Sequence, residues 1–292
     1  MYNVFESSPS VINCIFSENS AAAGGGMFNI FDSSPSVTNC VFIANTAGGG
    51  GGIYNQVSSP TFTNCVFSDN SANSAGGGMY NFFESSPSVT NCIFSENSAN
   101  SAGGGMFNAI ESSPTVTNCI LWGDMPDEIV NHEPGFDHPI VSFSDVQGGL
   151  PAGAVDGGGN IDANPLFADT DTRDFRLSPG SPCIDAGDNT AGLEGITTDL
   201  DGNPRFVDDP DTDDTGNGDP PIVDMGAYEF QATNCPWDVN DDGVVDHHDL
   251  VEVVHNLGLC DDSDNCPWDV NGDGIVNGRD VAAVAMHFGA CP

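Results

Sequence analysis

The chain contains no lysine, and four arginines face 43 acidic residues, which leaves a formal net charge of −39. Nucleic acids and anionic membranes are bound through clustered Lys and Arg, so the composition argues against both as partners. Residues 1–172 contain neither Lys nor Arg. Elimination on uronate sugars needs a base and cations that neutralise the sugar carboxylate, so lyase chemistry is disfavoured.

Long apolar runs are also missing. No stretch of about twenty apolar residues occurs, so no membrane span is predicted. The first residues show neither the basic start nor the apolar core of a signal peptide. Because the chain begins inside the repeat described next, we expect the natural protein to extend upstream, signal peptide included.

Residues 1–121 form a repeat. Its period is about 25 to 27 residues, and a fixed period in this range predicts a stacked array. Three columns define the repeat: Asn3, Asn29, Asn55, Asn81 and Asn108; the Asn-Cys pairs that end in Cys14, Cys40, Cys65, Cys92 and Cys119; and Asn19, Asn45, Asn70 and Asn97.

Each repeat holds short β-prone runs between Ser-Ser-Pro and Gly-rich turns, with no helical period. This pattern predicts a parallel β-helix with neighbouring coils about 4.8 Å apart. Stacked Asn side chains are expected to hydrogen-bond to their copies. Stacked Cys side chains point in parallel directions, which disfavours disulfides and favours a column of small packing residues.

The phrases Phe-x-x-Asn and Gly-Gly-Gly-Met-Phe/Tyr resemble the polymorphic outer-membrane and autotransporter passenger repeats, which are right-handed β-helices. The resemblance implies a mainly β, right-handed parallel β-helix, a pectin-lyase-like solenoid. The sequence around 177–187 and 223–230 is similar to the C-terminal part of secreted bacterial β-helix proteins. The predicted domains are regular coils over 1–121, irregular coils over 122–187, a cap and linker over 188–233, and a separate module over 234–292.

The sequence gives little support for a reaction centre in the β-helix. Carboxylates recur before the Ser-Ser-Pro turns at Glu6, Asp32, Glu84 and Glu111. A glycosidase needs two carboxyl groups about 5 to 9.5 Å apart with separated pKa values, whereas this column repeats like a structural motif. We therefore expect a solvent-facing edge. His132 and His138 lack the spacing of a zinc site. The acidic run 208–219 fits either a solvated loop or a further Ca²⁺ site.

The C-terminal segment carries the strongest motif, a loop from Asp238 to Asp249 that recurs from Asp269 to Asp280. Each copy has oxygen-bearing side chains at loop positions 1, 3, 5, 9 and 12 and Gly at position 6. This is the pattern that hard cations such as Ca²⁺ require. A helical apolar spacing that stops at Gly follows each loop, and Cys-Pro-Trp precedes it.

The loop-then-helix unit resembles type I dockerin domains over residues 234–292, which implies a small α-helical, EF-hand-like module, two Ca²⁺ sites and a cohesin-like partner. The implied side-chain ligands are Asp238, Asn240, Asp242, Asp246 and Asp249, and Asp269, Asn271, Asp273, Asn277 and Asp280, with backbone carbonyls from Val244 and Ile275. Loop positions 10 and 11, which help recognise cohesin, are His247 and His248 in one copy and Gly278 and Arg279 in the other. This difference argues against symmetric dual-mode binding.

Cys235, Cys260, Cys266 and Cys291 allow three disulfide pairings, and the sequence does not choose among them.

These observations predict an extracellular or surface-attached, non-catalytic β-helix that binds or scaffolds, with a calcium-dependent attachment module. Two alternatives stay open. One is a carbohydrate-active enzyme, a polysaccharide hydrolase or lyase, delivered by the same module. The other is an adhesin-like passenger. A polysaccharide or cell-surface glycan is a further candidate partner.

Overall fold

The computed structural model describes residues 1–133, 135–193, 195–231, 237, 239–240, 244–259, 266–271 and 274–290. The chain divides into two compact units, Met1–Gln231 and Ala232–Pro292. The first is a mainly β solenoid of about six turns, and the second contains the two described helices, as the sequence predicts.

Short strands build the solenoid because each coil alternates β-prone triplets with turns. The strands of the first three coils are β1 (Tyr2–Val4), β2 (Ser10–Ile12), β3 (Ile15–Ser17), β4 (Ser20–Ala21), β5 (Met27–Ile30), β6 (Ser36–Thr38), β7 (Val41–Ile43), β8 (Thr46–Ala47), β9 (Ile53–Gln56), β10 (Thr61–Thr63), β11 (Val66–Ser68) and β12 (Ser71–Ala72). The next coils contain β13 (Met79–Phe82), β14 (Ser88–Thr90), β15 (Ile93–Ser95), β16 (Ser98–Ala99), β17 (Met106–Ala109), β18 (Thr115–Thr117), β19 (Ile120–Trp122), β20 (Ile129–Asn131), β21 (Ile140–Ser142), β22 (Asp145–Val146) and β23 (Val155–Asp156).

Equivalent strands of successive coils pair in parallel and form four sheets along the solenoid. The first sheet has the order β1-β5-β9-β13-β17-β20, and the second continues to β23 in the order β2-β6-β10-β14-β18-β21-β23. The third runs β22-β19-β15-β11-β7-β3, and the shortest is β16-β12-β8-β4. The sheets therefore continue past residue 121, where the sequence period loosens.

The register places identical side chains above one another, and the asparagine columns form the predicted ladders. In the first, each side-chain amide donates to the next Asn carbonyl oxygen, from Asn3 to Asn131, at 2.7 to 3.0 Å. This ladder is buried throughout. A second runs through Asn19, Asn45, Asn70 and Asn97. The amides of the last three also donate to backbone carbonyls, as Asn70 does to Phe42 O. The buried amides of both ladders thus have hydrogen-bond partners within the interior.

An apolar column fills the interior beside the ladders. The rings of Phe42, Phe67 and Phe94 stack with centroids 5.0 and 4.4 Å apart. Cys40, Cys65, Cys92 and Cys119 are free and buried, and Cys14 is free and exposed. The prediction of a packing column of free thiols is confirmed for the four buried members.

The segment after the coils packs along one side of the solenoid. It contains a two-stranded antiparallel pair, β24 (Phe167–Asp169) and β25 (Asp174–Leu177). The outward side chains Val66, Ile93 and Ile120 belong to one buried cluster with residues of this segment, including Phe175, Cys183, Ile184, Met225 and Ala227. Met225 and Ala227 belong to the predicted cap, 188–233, whereas Phe175, Cys183 and Ile184 lie in the range predicted as irregular coils, 122–187. That the cap covers the terminal edge of the stack stays a prediction.

The interior of this flanking segment contains the fully buried Arg205. One guanidinium nitrogen of Arg205 donates to Asp224 O at 2.9 Å and to Gly226 O at 2.7 Å, and Nε lies 3.5 Å from Glu229 Oε2. Burial raises the pKa of Glu229 to about 9 and that of Asp224 to about 7. Arg205 therefore joins two backbone carbonyls and the Glu229 carboxyl group inside this segment.

In the second unit, two strand-helix-strand repeats follow one another. They are β26 (Val244–Val245), α1 (His247–His255) and β27 (Gly258–Leu259), and then β28 (Ile275–Val276), α2 (Gly278–Met286) and β29 (Gly289–Ala290). Neither described helix is long and apolar enough to cross a membrane.

Candidate functional site

The two helices of the second unit begin in the same way. The last residue of each predicted loop, at position 12, lies in the first turn of the helix. Asp246 is the N-cap of α1 and accepts a hydrogen bond from His248 N; Asn277 does the same for α2 with Arg279 N. Each helix has a capping box, closed by Asp249 in α1 and by Asp280 in α2. A side chain that satisfies free N–H groups at a helix start fixes where the helix begins.

The carboxylate at loop position 12 gathers backbone groups from two other loop positions. Asp249 accepts hydrogen bonds from Asn240 N at 3.3 Å and from Asp246 N at 2.7 Å. Loop positions 3 and 9 are therefore drawn to position 12 of the first loop.

The second loop repeats this arrangement. Asp280 accepts hydrogen bonds from Asn271 N at 3.3 Å and from Asn277 N at 2.8 Å. Asp280, like Asp249, is fully buried. The two copies of the loop therefore share one geometry around a buried carboxylate.

In the second loop, a hydrogen bond joins loop positions 1 and 6. Gly274, at loop position 6, has a positive φ of 84°, and its N–H donates to Asp269 Oδ2 at 2.6 Å. A side chain at this backbone angle would be strained, which explains Gly at the position. This hydrogen bond holds loop position 1 close to position 6.

The strands within the two loops pair crosswise with the segments after the helices. Val244 and Val245 pair antiparallel with Ala290 and Gly289. Leu259 and Gly258 pair in the same way with Ile275 and Val276. Each loop is thereby hydrogen-bonded to the segment that follows the helix of the other repeat.

The core of the unit repeats with the same offset as the loops. Buried Val245 and Val253 correspond to buried Val276 and Val284. The partly buried residues of the same cluster also pair by this offset: Trp237 with Trp268, Val239 with Val270, and Leu250 with Val281. The Trp237 ring stacks on His287, with centroids 3.4 Å apart. Equivalent residues of the two repeats therefore share one core.

The donor set fits a hard cation. Asn240, Asp246, Asp249 and their counterparts Asn271, Asn277 and Asp280 offer carboxylate and amide oxygens, which Ca²⁺ prefers. The hydrogen bonds described above to the buried Asp249 and Asp280 carboxylates come from backbone N–H groups, and the Asn271 amide also donates to Asp280. A buried carboxylate without a cation is costly, so an ion at this centre would stabilise both groups.

Some predicted residues lie outside the described residues: Asp238, Asp242 and Asp273 among the ligands, and Cys235, Cys260 and Cys291 among the cysteines. Cys266 is disulfide-bonded. The assignment of the full ligand sets and of the number of bound ions therefore stays a prediction.

The predicted recognition positions lie on the surface at the first turn of each helix. His247 and His248 are exposed on α1, and Gly278 and Arg279 are exposed on α2. The His247 and His248 rings lie 3.9 Å apart, and His248 Nδ1 lies 3.1 Å from Asp246 Oδ1. The two helices therefore present different chemistry at equivalent positions.

The exposed face beyond these residues differs as well. Val251 and Val254 on α1 are each 43% exposed. The equivalent positions on α2, Ala282 and Ala285, carry only a methyl group. At these two positions α1 therefore offers more apolar surface, whereas at the next position of the same face α2 has Met286, 76% exposed, in place of His255.

On the solenoid, the recurring carboxylates Glu6, Asp32, Glu84 and Glu111 are all exposed, as predicted for a solvent-facing edge. His132 and His138 are exposed too, and neither belongs to a group of metal-ligating side chains among the described residues.

Sequence reasoning missed a carboxyl pair where the second asparagine ladder ends. Asp124 occupies the next ladder position and accepts from Asn97 N and Nδ2 at 2.6 and 2.8 Å. Burial, together with Glu128, raises the pKa of Asp124 well above its usual range, and burial raises the pKa of Glu128 to about 7. The signal in the sequence was the replacement of Asn by Asp in a repeated column.

A cleft of about 470 Å³ lies on the same side of the coils and is lined by Glu96, Trp122 and Phe167, among others. An aromatic ring beside a carboxylate suits a sugar, because rings bury apolar sugar faces and carboxylates accept hydroxyl hydrogen bonds.

Each of the two units of the chain contains a region that matches a known family. Residues 1–121 match the family model of the right-handed beta helix region, and residues 236–289 match that of the type I dockerin domain. The chain therefore carries a right-handed β-helix region and a C-terminal type I dockerin domain. Type I dockerin domains bind calcium, and dockerin domains bind cohesins. No curated protein and no solved structure matches the chain.

Proposed function

We propose that the protein is a non-catalytic β-helix scaffold, outside the cell or at its surface, that a dockerin domain attaches to a cohesin-like partner. The dockerin domain holds two Ca²⁺ ions in this proposal, one in each loop. The solenoid supplies a stiff body with a repetitive face, and the tail supplies the attachment.

The duplicated geometry around Asp249 and Asp280 carries this proposal. Each buried carboxylate joins loop positions 3 and 9 at the start of a helix, through the same two backbone contacts. Helix position and ion binding are therefore linked, because the carboxylate that would ligate the ion also closes the capping box. Calcium removal should then loosen both helices and, with them, the docking surface.

We place the cohesin contact on the α1 face. Val251 and Val254 are exposed there beside His247 and His248. The equivalent residues on α2 are alanines, Gly278 and Arg279, followed by exposed Met286 in place of His255. Exposed apolar side chains gain free energy when a partner covers them, about 25 cal/mol for each Å² removed from water. Two valines therefore supply more binding energy than two alanines, which favours a single binding mode.

The test is calorimetric titration of the full chain with cohesin modules from the source organism, in CaCl₂ and in EGTA. Val251→Asp on α1 and Ala282→Asp on α2 form a matched pair, since the two residues occupy equivalent positions in the two copies. We expect calcium-dependent binding that Val251→Asp weakens at least about tenfold, since a buried unpaired charge at an interface costs more than about 1.4 kcal/mol. Ala282→Asp should bind like the parent. Equal loss in both variants would remove the assignment to α1.

A carbohydrate-active enzyme is the second candidate, favoured by the cleft at Glu96 and Trp122. The assay is release of reducing sugar from a panel of polysaccharides by the full chain and by Glu96→Gln. The scaffold proposal expects no release by either protein. Release by the parent that Glu96→Gln abolishes would establish the enzyme instead.

A further inference from the structure

The flanking segment of the solenoid contains a buried carboxylate with an unused oxygen. Asp185 is fully buried. Its Oδ2 accepts a hydrogen bond from Asp209 N at 3.2 Å, whereas Oδ1 has no hydrogen-bond partner. A buried charged oxygen without a partner destabilises the fold unless a ligand or ion satisfies it.

Two further carboxylates converge on this residue. One ligand oxygen from each of Asp185, Asp208 and Asp214 lies within 4.8 Å of the others. Oxygens that share a Ca²⁺ ion at about 2.3–2.6 Å lie up to about 5 Å apart, so this spacing fits one ion between them. Asp208 and Asp214 are exposed, which leaves room for water ligands on the outer side.

The backbone of the acidic loop is wrapped around Asp185. Thr215 N and Gly216 N donate to Asp185 O at 3.0 and 3.1 Å, in addition to the contact from Asp209 N. Asp185 itself belongs to the segment that packs on the solenoid, between Ile184 and Ala186 of the buried cluster. An ion here would pin the loop to the body of the protein.

The arginines of the first unit are paired with other carboxylates and do not neutralise this group. In the described part of the first unit, Arg173 pairs with Asp69, Arg176 with Asp174 and Asp201, and Arg205 with Glu229. Three carboxylates that face one another therefore repel without a described cationic partner.

We propose that Asp185, Asp208 and Asp214 form a Ca²⁺ site in the β-helix unit, separate from the dockerin loops. All three ligands are carboxylates, with no His or Cys in the group, so a hard cation is favoured. Ca²⁺ accepts an irregular set of protein and water oxygens, whereas Mg²⁺ requires near-octahedral geometry. The site is independent of the docking proposal and stands or falls without it.

The test is hydrogen–deuterium exchange of the full chain, read on peptides covering 206–219, in CaCl₂ and in EGTA. A CaCl₂ concentration of about 10 mM is about tenfold above the weaker end of calcium affinities in extracellular modules. The amides of Asp209, Thr215 and Gly216 should exchange about tenfold more slowly in calcium, because the ion suppresses opening by the factor 1 + [L]/Kd.

The variants separate this site from the tail and from general charge effects. The double variant Asp238→Ala with Asp269→Ala removes the dockerin loops and should keep the protection at 206–219. Asp185→Asn and Asp214→Asn should lose it; Asp214 is exposed, so its replacement leaves the fold intact. Asp213→Asn is the matched control, an exposed neighbour outside the cluster, and should behave like the parent.

Absence of calcium-dependent protection in the parent chain would overturn the proposal. Protection that persists in Asp214→Asn and Asp185→Asn would overturn it too, as would equal protection by MgCl₂ at the same concentration. Loss of protection in the double tail variant would assign the effect to the dockerin domain instead.

Discussion

Replacement of Asn55 by alanine tests the asparagine ladder, which spans the solenoid. In the structure, Asn29 Nδ2 donates to Asn55 Oδ1 at 2.8 Å, and Asn55 Nδ2 donates to Asn81 Oδ1 at 2.9 Å. All three side chains are fully buried. Asn55→Ala therefore removes two hydrogen bonds and leaves one donor and one acceptor unsatisfied in the interior.

Each unsatisfied buried group costs about 1–3 kcal/mol, so the variant should lower the free energy of unfolding of the solenoid by about 2–6 kcal/mol. Asn73→Ala is the matched control, because Asn73 is exposed and its backbone contacts survive the change. Its effect should stay within about 0.5 kcal/mol.

The assay is urea denaturation of the full chain, followed by far-ultraviolet circular dichroism, with the midpoint of the solenoid transition as the readout. Stacked arrays depart from two-state unfolding, so midpoints are compared rather than extrapolated free energies. If Asn55→Ala and Asn73→Ala shift the midpoint equally, the ladder does not stabilise the stack as argued.

Three further predictions concern the buried charges and the tail. Arg205→Met should destabilise the first unit by about 2–6 kcal/mol because it leaves the buried Asp224 and Gly226 carbonyl oxygens without their donor. Exposed Arg173→Met should cost less than about 1 kcal/mol, and thermal melting that shows equal effects would contradict this. The pKa of Glu229 is raised to about 9, so the folded chain binds more protons than the unfolded chain above about pH 4.3, and stability should fall as pH rises from there towards 9. Glu229→Gln should flatten that slope in melts across the same pH range, and an unchanged slope would refute the assignment. Asp238→Ala with Asp269→Ala should unfold the dockerin domain even in calcium, since ligand loss is folding loss in small metal domains, and unchanged helical circular dichroism of the tail would contradict it.

The periodic parts of the molecule could be predicted from sequence. A column such as Asn29, Asn55 and Asn81 repeats because in-register stacking places the same side chain in the same environment in every coil. The tail is predictable for a similar reason: one constant offset relates Asp249 to Asp280 and Val253 to Val284. Because each repeat shows the same pattern again, the prediction rests on several independent occurrences of it.

The contacts that the sequence did not reveal are long-range and occur once. The loop that surrounds Asp185 runs from Asp208 to Gly216, and no repeat marks the pairing. Arg205 gives no sign of its burial, because Arg is mostly exposed in proteins. Such contacts depend on how the segment after the coils folds back, which local patterns do not encode.

The sequence did contain a signal that predicts where the flanking segment packs. In β11, β15 and β19 the residues Val66, Ile93 and Ile120 precede the inward Phe or Leu, so the strands are apolar on both faces. A sheet with two apolar faces must be covered on both sides. The cover is the flanking segment, including Phe175 and Met225.

Sedimentation velocity of the full chain mixed with a cohesin module from the source organism tests calcium-dependent docking most directly. In CaCl₂ the two proteins should sediment together as a one-to-one complex, and excess EGTA should separate them into two boundaries. Separate boundaries in CaCl₂ for every cohesin module tested, or a complex that EGTA leaves intact, would contradict the account.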